Sequence, residues 1–267
     1  MGKGTSFEFN PLSRFAKDLW IQAAAPFQMN TEQRYWVGGC ALATAVLLLT
    51  DQGTYNTIKD AEFDTRWIGK VSPVITQFGS NYGLATLGLF ASYSFLADDS
   101  KGKETAYLAT EAYLTSSVWG VTAKWLTGRE RPSAMSETGG EWAGPFAYFR
   151  KDKTQSIASF DAFPSGHTWT AFSIATVFAE QYSDHRMVPI VCYTVASLVG
   201  ISRISQDAHW ASDVFVGAIL GYLTAEEVVA NNPSEMSRKY SASKSNHMTW
   251  SLGMLYNKPV FNFQVLF

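Results

Sequence analysis

Three separated segments hold the side chains able to do chemistry. They are Lys124-Trp-Leu-Thr-Gly-Arg-Glu-Arg131-Pro132, then Pro164-Ser165-Gly166-His167, then Ser202-Arg203-Ile-Ser-Gln-Asp-Ala-His209-Trp-Ala-Ser-Asp213. Lys124, Arg131 and Arg203 offer positive charge; His167 and His209 offer imidazoles; Asp213 offers a carboxylate. Such a set suits gripping a phosphate and attacking it without a metal. A phosphoryl group in transfer spreads negative charge over its equatorial oxygens, so fixed cations lower the barrier directly. Arg matches phosphate oxygens with a planar fork, and Lys supplies a point charge.

His209 and Asp213 are four residues apart. On a helix they would share one face, one turn apart. The carboxylate would accept the proton of one imidazole nitrogen and leave the other nitrogen's lone pair free to attack. An exposed i,i+4 pair is the plainer reading of a lone His-x-x-x-Asp, but Arg203 stands six residues earlier. Pro164-Ser165-Gly166-His167 precedes a helix-like run from Thr168 to Tyr182. A Ser-Gly turn at a helix start presents N–H groups and a hydroxyl to an anion. Gly166 permits close approach of the backbone. His167, at the mouth of the turn, is placed to protonate a leaving oxygen. An ordinary helix N-cap is the competing reading of the turn, and a snorkelling surface lysine that of Lys124. Gly128 is expected to end the helix that carries Lys124, and Pro132 to hold Arg131 extended. Arg129 and Glu130, between them, are expected to be solvated or to act as structural partners. His185 and His247 stand in polar surroundings and are given no role.

The pattern Lys-x6-Arg-Pro, Pro-Ser-Gly-His and Ser-Arg-x5-His-x3-Asp resembles the type 2 phosphatidic acid phosphatase superfamily, which includes lipid phosphate phosphatases, bacterial acid phosphatases and vanadium haloperoxidases. The motifs run from 124 to 213, and helical patterning extends the likeness over roughly 36–230. The resemblance implies that His209 is a nucleophile forming a phosphohistidine, that Asp213 orients it, and that His167 is the general acid. It implies that Lys124, Arg131, Ser165, Gly166 and Arg203 bind the phosphate, that the fold is a helical bundle, and that no metal or other cofactor takes part. Two other functions stay open: a vanadium-dependent haloperoxidase using the same pocket, and a non-catalytic lipid-binding module.

Positioning these residues is the task of a chain of 267 residues with 46% hydrophobic and 16% charged side chains, enough for a sizeable core. The net charge of −2 argues against a nucleic-acid partner held by a basic surface. The partner expected is a phosphorylated small molecule or lipid. Cys40 and Cys192 sit in apolar runs and read as buried hydrophobes rather than a disulfide or metal site. Helical periodicity covers roughly 12–24, 33–51, 54–67, 81–97, 103–127, 168–183, 187–201 and 210–230, punctuated by Gly, Pro, Ser or Asp. The fold class expected is all-α: a helical bundle of the acid phosphatase/vanadium haloperoxidase type, with a C-terminal β-hairpin. Its divisions are an amphipathic segment at 1–32, the bundle at 33–232 and a polar linker with hairpin at 233–267. In that tail Met248, Trp250, Leu252, Met254 and Tyr256 alternate with other residues, and so do Phe261, Phe263, Val265 and Phe267.

A spanning helix needs about 20 predominantly apolar residues. Asp51 ends one apolar run, Gly79-Ser80-Asn81 breaks another, and mean hydropathy is −0.05. These features favour a soluble or peripherally attached domain, extracytoplasmic or membrane-associated, over a set of spans. The first 35 residues show no basic stretch followed by an apolar one. Leu12, Phe15, Leu19, Trp20 and Ala23 share one helical face, expected to dock on the protein's own core rather than on a membrane surface. The connection between Pro132 and Pro164 carries Trp142, Phe146, Tyr148 and Phe149. Its length fits a lid or acyl-chain platform, or else a surface excursion.

Overall fold

The computed structural model describes residues 11–60, 70–145, 157–232, 249–255 and 258–264. The chain divides into two units, Met1–Asn231 and Asn232–Phe267. The second unit holds two strands, β1 (Thr249–Leu255) and β2 (Lys258–Gln264), paired antiparallel with Thr249 opposite Gln264.

The first unit is helical in its described residues. In order it has α1 (Pro11–Gln28), α2 (Thr31–Asp60), the short α3 (Ser72–Thr76), α4 (Asn81–Leu96), α5 (Ser100–Thr127), α6 (Gly166–Gln181), α7 (Met187–Ser205) and α8 (Ala211–Asn231). Local chemistry explains several ends. Before α2, Gln33 N–H donates to the Asn30 side chain at 2.9 Å and Asn30 N–H donates to the Gln33 side chain at 2.9 Å. That reciprocal pair satisfies two donors with no helical partner. Gly128 ends α5 in the left-handed region (φ +50°), its N–H donating to the Lys124 carbonyl at 2.9 Å. A non-glycine residue adopts that conformation at a cost, which explains glycine here.

α6 is the central helix, with α5, α7 and α8 packed around it. The helices approach closely because small residues face each other. A Cβ on Gly120 of α5 would lie 2.5 Å from the Trp169 ring, and one on Gly221 of α8 would lie 2.4 Å from the Trp169 carbonyl oxygen. Leu108, Ala109 and Ala112 of α5 meet Val177, Ala225 and Val228, with Leu87 of α4. Ala171 and Ala175 meet Ala196 and Val199. Much of the rest of the interior is hydroxyl-bearing: Thr105, Thr115, Ser173, Ser202 and Thr224 are buried. Each returns a hydrogen bond to a carbonyl of its own preceding turn, which satisfies the polar group without a partner helix.

Three expectations change. The stretches 33–51 and 54–67 do not form two helices, because α2 runs unbroken through Asp51 to Asp60; residues 61–67 lie outside the described residues. Asp51 does not interrupt the helix because it is buried and ion-paired to Arg129 at 2.8 Å. The face by which α1 docks is also turned away from the one expected, with Phe15 and Leu19 at its margin. Asp18 is 1% exposed, whereas Leu12 is 79% and Trp20 75% exposed. Arg14 pairs with Glu111 at 2.9 Å, and Gln22 donates to Thr115 and accepts from the Trp119 indole. Polar spacing at i, i+4, i+8 therefore decides how α1 sits, because the bundle offers it hydrogen bonds rather than an apolar groove. Thirdly, the helices carry their large apolar side chains outward: Trp36, Leu42 and Leu49 on α2; Leu89 and Leu96 on α4; Val121 and Leu126 on α5; Ile190 and Val191 on α7 are all exposed. A buried bundle in water would turn these inward. Among the described residues one helix, α7, is long and apolar enough to cross a membrane.

Two outcomes follow from the packing. Gly221→Ala forces a methyl into the α6 backbone and is expected to lower stability by about 1–3 kcal/mol. Gly53→Ala meets no atom within 4 Å and should gain roughly 0.5–1 kcal/mol; opposite shifts in thermal midpoint on unfolding the purified protein check the pair. Arg129→Met leaves two buried carboxylates without their cation and should cost about 3–5 kcal/mol in the same measurement.

Candidate active site

The three segments converge at the ends of helices. Lys124 lies in the last turn of α5 and Arg203 in the last turn of α7. Gly166 and His167 open α6, and Asp213 stands in the first turn of α8. Arg131 is extended (φ −74°, ψ 150°), as a residue before proline should be, and its N–H donates to the Ser159 carbonyl at 2.8 Å.

Ser165 occupies the N-cap position of α6 and is fully buried, yet its side chain makes no capping bond. Its Oγ accepts from Thr168 Oγ1 at 2.8 Å, so its own hydroxyl proton is left for another acceptor. Its N–H donates to the Asp213 carbonyl at 2.9 Å, which ties the start of α6 to the start of α8. Gly217 permits that approach: a Cβ there would lie 2.7 Å from the Ser165 carbonyl oxygen. At Gly166 a Cβ would meet only ordinary contacts, 3.6 Å to Trp169 and 3.8 Å to Lys124. Packing of the protein's own atoms therefore does not require glycine at this position.

His209 lies in the loop before α8 rather than on the same helix as Asp213. It is 2% exposed, and its Nδ1 is 2.7 Å from the Ala162 carbonyl oxygen. The Asp213 carboxylate is 3.7 Å from the same nitrogen. A carbonyl only accepts, so Nδ1 carries the proton and Nε2 keeps its lone pair. The backbone of Ala162 thus sets the tautomer, a role expected of Asp213. Burial pushes the His209 imidazolium well below its ordinary range, and the charges of Lys124, Arg131 and Arg203 add to this. The ring is neutral, which is the form able to attack.

Asp213 is fully occupied. One oxygen accepts from Arg129 at 2.7 Å and the other from the Trp210 N–H at 2.8 Å. The second bond is the return leg of a capping box at the start of α8. Asp213 therefore fixes the 209–213 turn beside His209. Arg129, expected to be solvated or structural, is 1% exposed and structural. It also donates to Ser212 Oγ at 2.7 Å and to Asp51 at 2.8 Å. The Trp142 and Trp210 rings lie 4.7 and 5.1 Å from its guanidinium carbon. Glu130 is likewise buried, not solvated; its carboxylate accepts from Ser136 and from the Glu141 N–H, and so shapes the start of the connection after Pro132.

The cations are only partly engaged. Arg203 donates from one nitrogen to Thr76 and Gln206, both at 2.9 Å, while its Nε makes no hydrogen bond among the described residues. Lys124 donates to the Asp161 carbonyl and lies 5.6 Å from the Trp169 ring centre. Arg131 donates to Asp161 Oδ1 at 2.6 Å. His167 is half-buried; a Cβ on Gly79 would sit 2.5 Å from its carbonyl oxygen, so the break before α4 also seats the start of α6. Burial lowers the His167 pKa to about 4, and the charges of Arg203, Arg131 and Lys124 lower it in the same direction. That three cations act on both imidazoles shows how tightly the segments are drawn together. A tetrahedral anion among them would meet two imidazoles, three cations and the Ser165-Gly166 turn.

Asp161, Ala162, Arg129 and Asp51 carry parts of the site that the motif reading left out. Asp161 lies three residues before Pro164, and an acid so near a basic inventory was a signal that charge pairing could have used. A backbone carbonyl, as at Ala162, leaves no mark in a sequence. Trp142 contacts Phe163 at 5.4 Å between rings; Phe146, Tyr148, Phe149 and His247 lie outside the described residues. Cys40 and Cys192 are unpaired, half-buried thiols.

A family model described as the PAP2 superfamily matches residues 105–234, ending short of β1 and β2. A lipid A 1-phosphatase of Porphyromonas gingivalis is 45% identical over 85 residues, 32% of this chain and 19% of that protein. The aligned stretch is thus less than a fifth of that relative. A lipid A 1-phosphatase of Rhizobium etli is 27% identical over 166 residues, 58% of this chain and 67% of that protein. The crystal structure of Aquifex aeolicus LpxE matches with a TM-score of 0.50 and 22% identity, over 67% of this chain and 93% of that one; this likeness shows the helical fold. Residues 105–234, a stretch that holds Lys124, His167 and His209 alike, are thus similar to the PAP2 superfamily.

Proposed function

We propose that the chain is a metal-independent phosphatase that hydrolyses a phosphomonoester or diphosphate of a lipid through a phosphohistidine on His209. The carrying observation is the neutral His209 ring, held through Nδ1 by the Ala162 carbonyl, in the field of Lys124, Arg131 and Arg203. In the first step Nε2 attacks phosphorus in line and the bond to the leaving oxygen breaks. Lys124, Arg131, Arg203, Ser165 and the Gly166 N–H hold the equatorial oxygens as their charge grows. His167 gives its proton to the leaving oxygen. In the second step water attacks the phosphohistidine, His167 takes the water proton, and phosphate leaves. His167 is neutral in the empty pocket, because its pKa is about 4 there. A bound phosphate dianion offsets the three cations and raises that value, so substrate binding itself arms the acid.

Two observations support a lipid substrate: the similarity to lipid A 1-phosphatases and the outward apolar faces of α2, α4, α5 and α7. Such faces, around an interior of small and hydroxyl-bearing residues, suit an acyl-chain surrounding. Membrane association is part of the proposal, and the site at the helix ends would then meet the headgroup level. In this reading an N-terminal segment at 1–32 and a polar linker with hairpin at 233–267 flank the bundle at 33–232.

A phosphate-release panel over phosphatidate, lipid A 1-phosphate, isoprenyl diphosphate and a soluble ester tests the reading. Turnover should favour the lipids and persist in chelator. His209→Ala should lose at least about 10³-fold in kcat, and full activity in that variant would sink the assignment. Sulfate binding near pH 6 should take up as much as one proton in wild type and none in His167→Gln, read by calorimetry in buffers of different ionisation enthalpy. The sign follows from a pKa below the working pH when empty and above it when filled.

A further inference from the structure

Asp161 brings an acidic side chain into a pocket otherwise built to attract anions. Its Oδ1 accepts from Arg131 at 2.6 Å, and its Oδ2 is 3.9 Å from Lys124 Nζ. Its backbone carbonyl accepts from Lys124 as well. The charge of this carboxylate also acts on His167, His209 and Arg203. Burial alone would push its carboxyl up, but Arg131 and Lys124 outweigh that and hold it below the usual carboxylate range. Asp161 is therefore ionised, and it occupies two of the cations proposed to bind phosphate.

Its surroundings separate what is fixed from what can move. The backbone is locked at the next residue: Ala162 N–H donates to the Arg129 carbonyl at 3.0 Å, and the Ala162 carbonyl holds His209. The side chain is different, at 29% exposed, whereas those of Asp213 and Asp51 are 0% and 1% exposed. A rotation about its own side-chain bonds frees Arg131 without disturbing Ala162 or the nucleophile.

The pocket also faces a problem of selectivity in time. Cations that stabilise a phosphoryl group in transfer attract the departing phosphate too, and binding product as tightly as the transition state gains no rate. A carboxylate already seated on Lys124 and Arg131 offsets part of that attraction.

We infer that Asp161 is a built-in counter-anion, which holds Lys124 and Arg131 in place while the pocket is empty and competes with free phosphate for them, so that product leaves. Asp161 is a positioning residue rather than a catalytic one, and the inference rests on the phosphatase reading above. Asp161→Asn keeps the shape and the hydrogen bond to Arg131 but removes the charge. Inhibition by inorganic phosphate and by vanadate should then tighten about tenfold, equivalent to ~1.4 kcal/mol, and KM and kcat should fall together. Asp161→Ala should tighten phosphate inhibition in the same sense, which covers an Asn variant that fails to fold. A purely structural role predicts the reverse, weaker inhibition and a higher KM, because the cations lose their anchor. If wild type hydrolyses lipid phosphate and is inhibited by phosphate, while both variants are inhibited equally or less, this inference falls and the function stands. If wild type neither releases phosphate nor binds it, the function itself falls and this inference with it.

Discussion

The Arg129 guanidinium lies buried between the carboxylates of Asp51 and Asp213, with the indoles of Trp142 and Trp210 close to it. One cation between two anions would be a costly interior arrangement if left bare, since each buried charge loses several kcal/mol of hydration. Here the charges are dressed. Ser212 gives its N–H to Asp51, and its hydroxyl also bonds to that carboxylate. Trp210 gives its N–H to Asp213, and its indole N–H to the Glu130 carbonyl. The surplus negative charge faces the cations of the pocket, so the two charge sets compensate across the His209 loop. Arg129 joins α2, the strand-like segment after α5 and the start of α8. Remove that junction and the turn that carries His209 and Asp213 loses its link to α2.

The pocket divides labour between backbone and side chains. The segment from Asp161 to Gly166 supplies a carboxylate, a carbonyl that sets the His209 tautomer, a hydroxyl and the first N–H groups of α6 within six residues. Main-chain groups set orientation, because they cannot rotate away, while side-chain cations at helix ends supply charge. Specific geometry at His209 is thus inherited from how α6 begins, and α6 begins where it does because Ser165 and Gly217 let α8 come close.

Much of this was legible in the sequence. The three motif segments meet in space, Gly128 ends α5, the residue before Pro132 is extended, and the break at Gly79-Ser80-Asn81 falls between α3 and α4. Those features rest on local chemistry, which a sequence carries in full. Partnership over long sequence distance was not legible. Asp51 read as the end of an apolar run because its cation lies 78 residues away. Arg129 and Glu130 could be read only as solvated or as structural partners, because charge gives no hint of burial until its partners are known. The stripe on α1 was read correctly as amphipathic, but the helix docks by a face turned away from it. That reading assumed an apolar core, whereas the bundle meets α1 with Glu111, Thr115 and Trp119.

The Arg129 junction also orders the assembly of the protein in time. Its carboxylate partners lie 78 and 84 residues from it, one before and one after. Contacts of such separation close large loops, and the entropy of closing them is lost before the contacts form. The seam between α5 and α8 is a contact of the same kind, since Leu108 packs with Val228. The turn that carries His209 and Asp213 therefore settles only when several pairings of long sequence separation have closed, so a partly assembled chain carries the motif segments without the geometry that joins them.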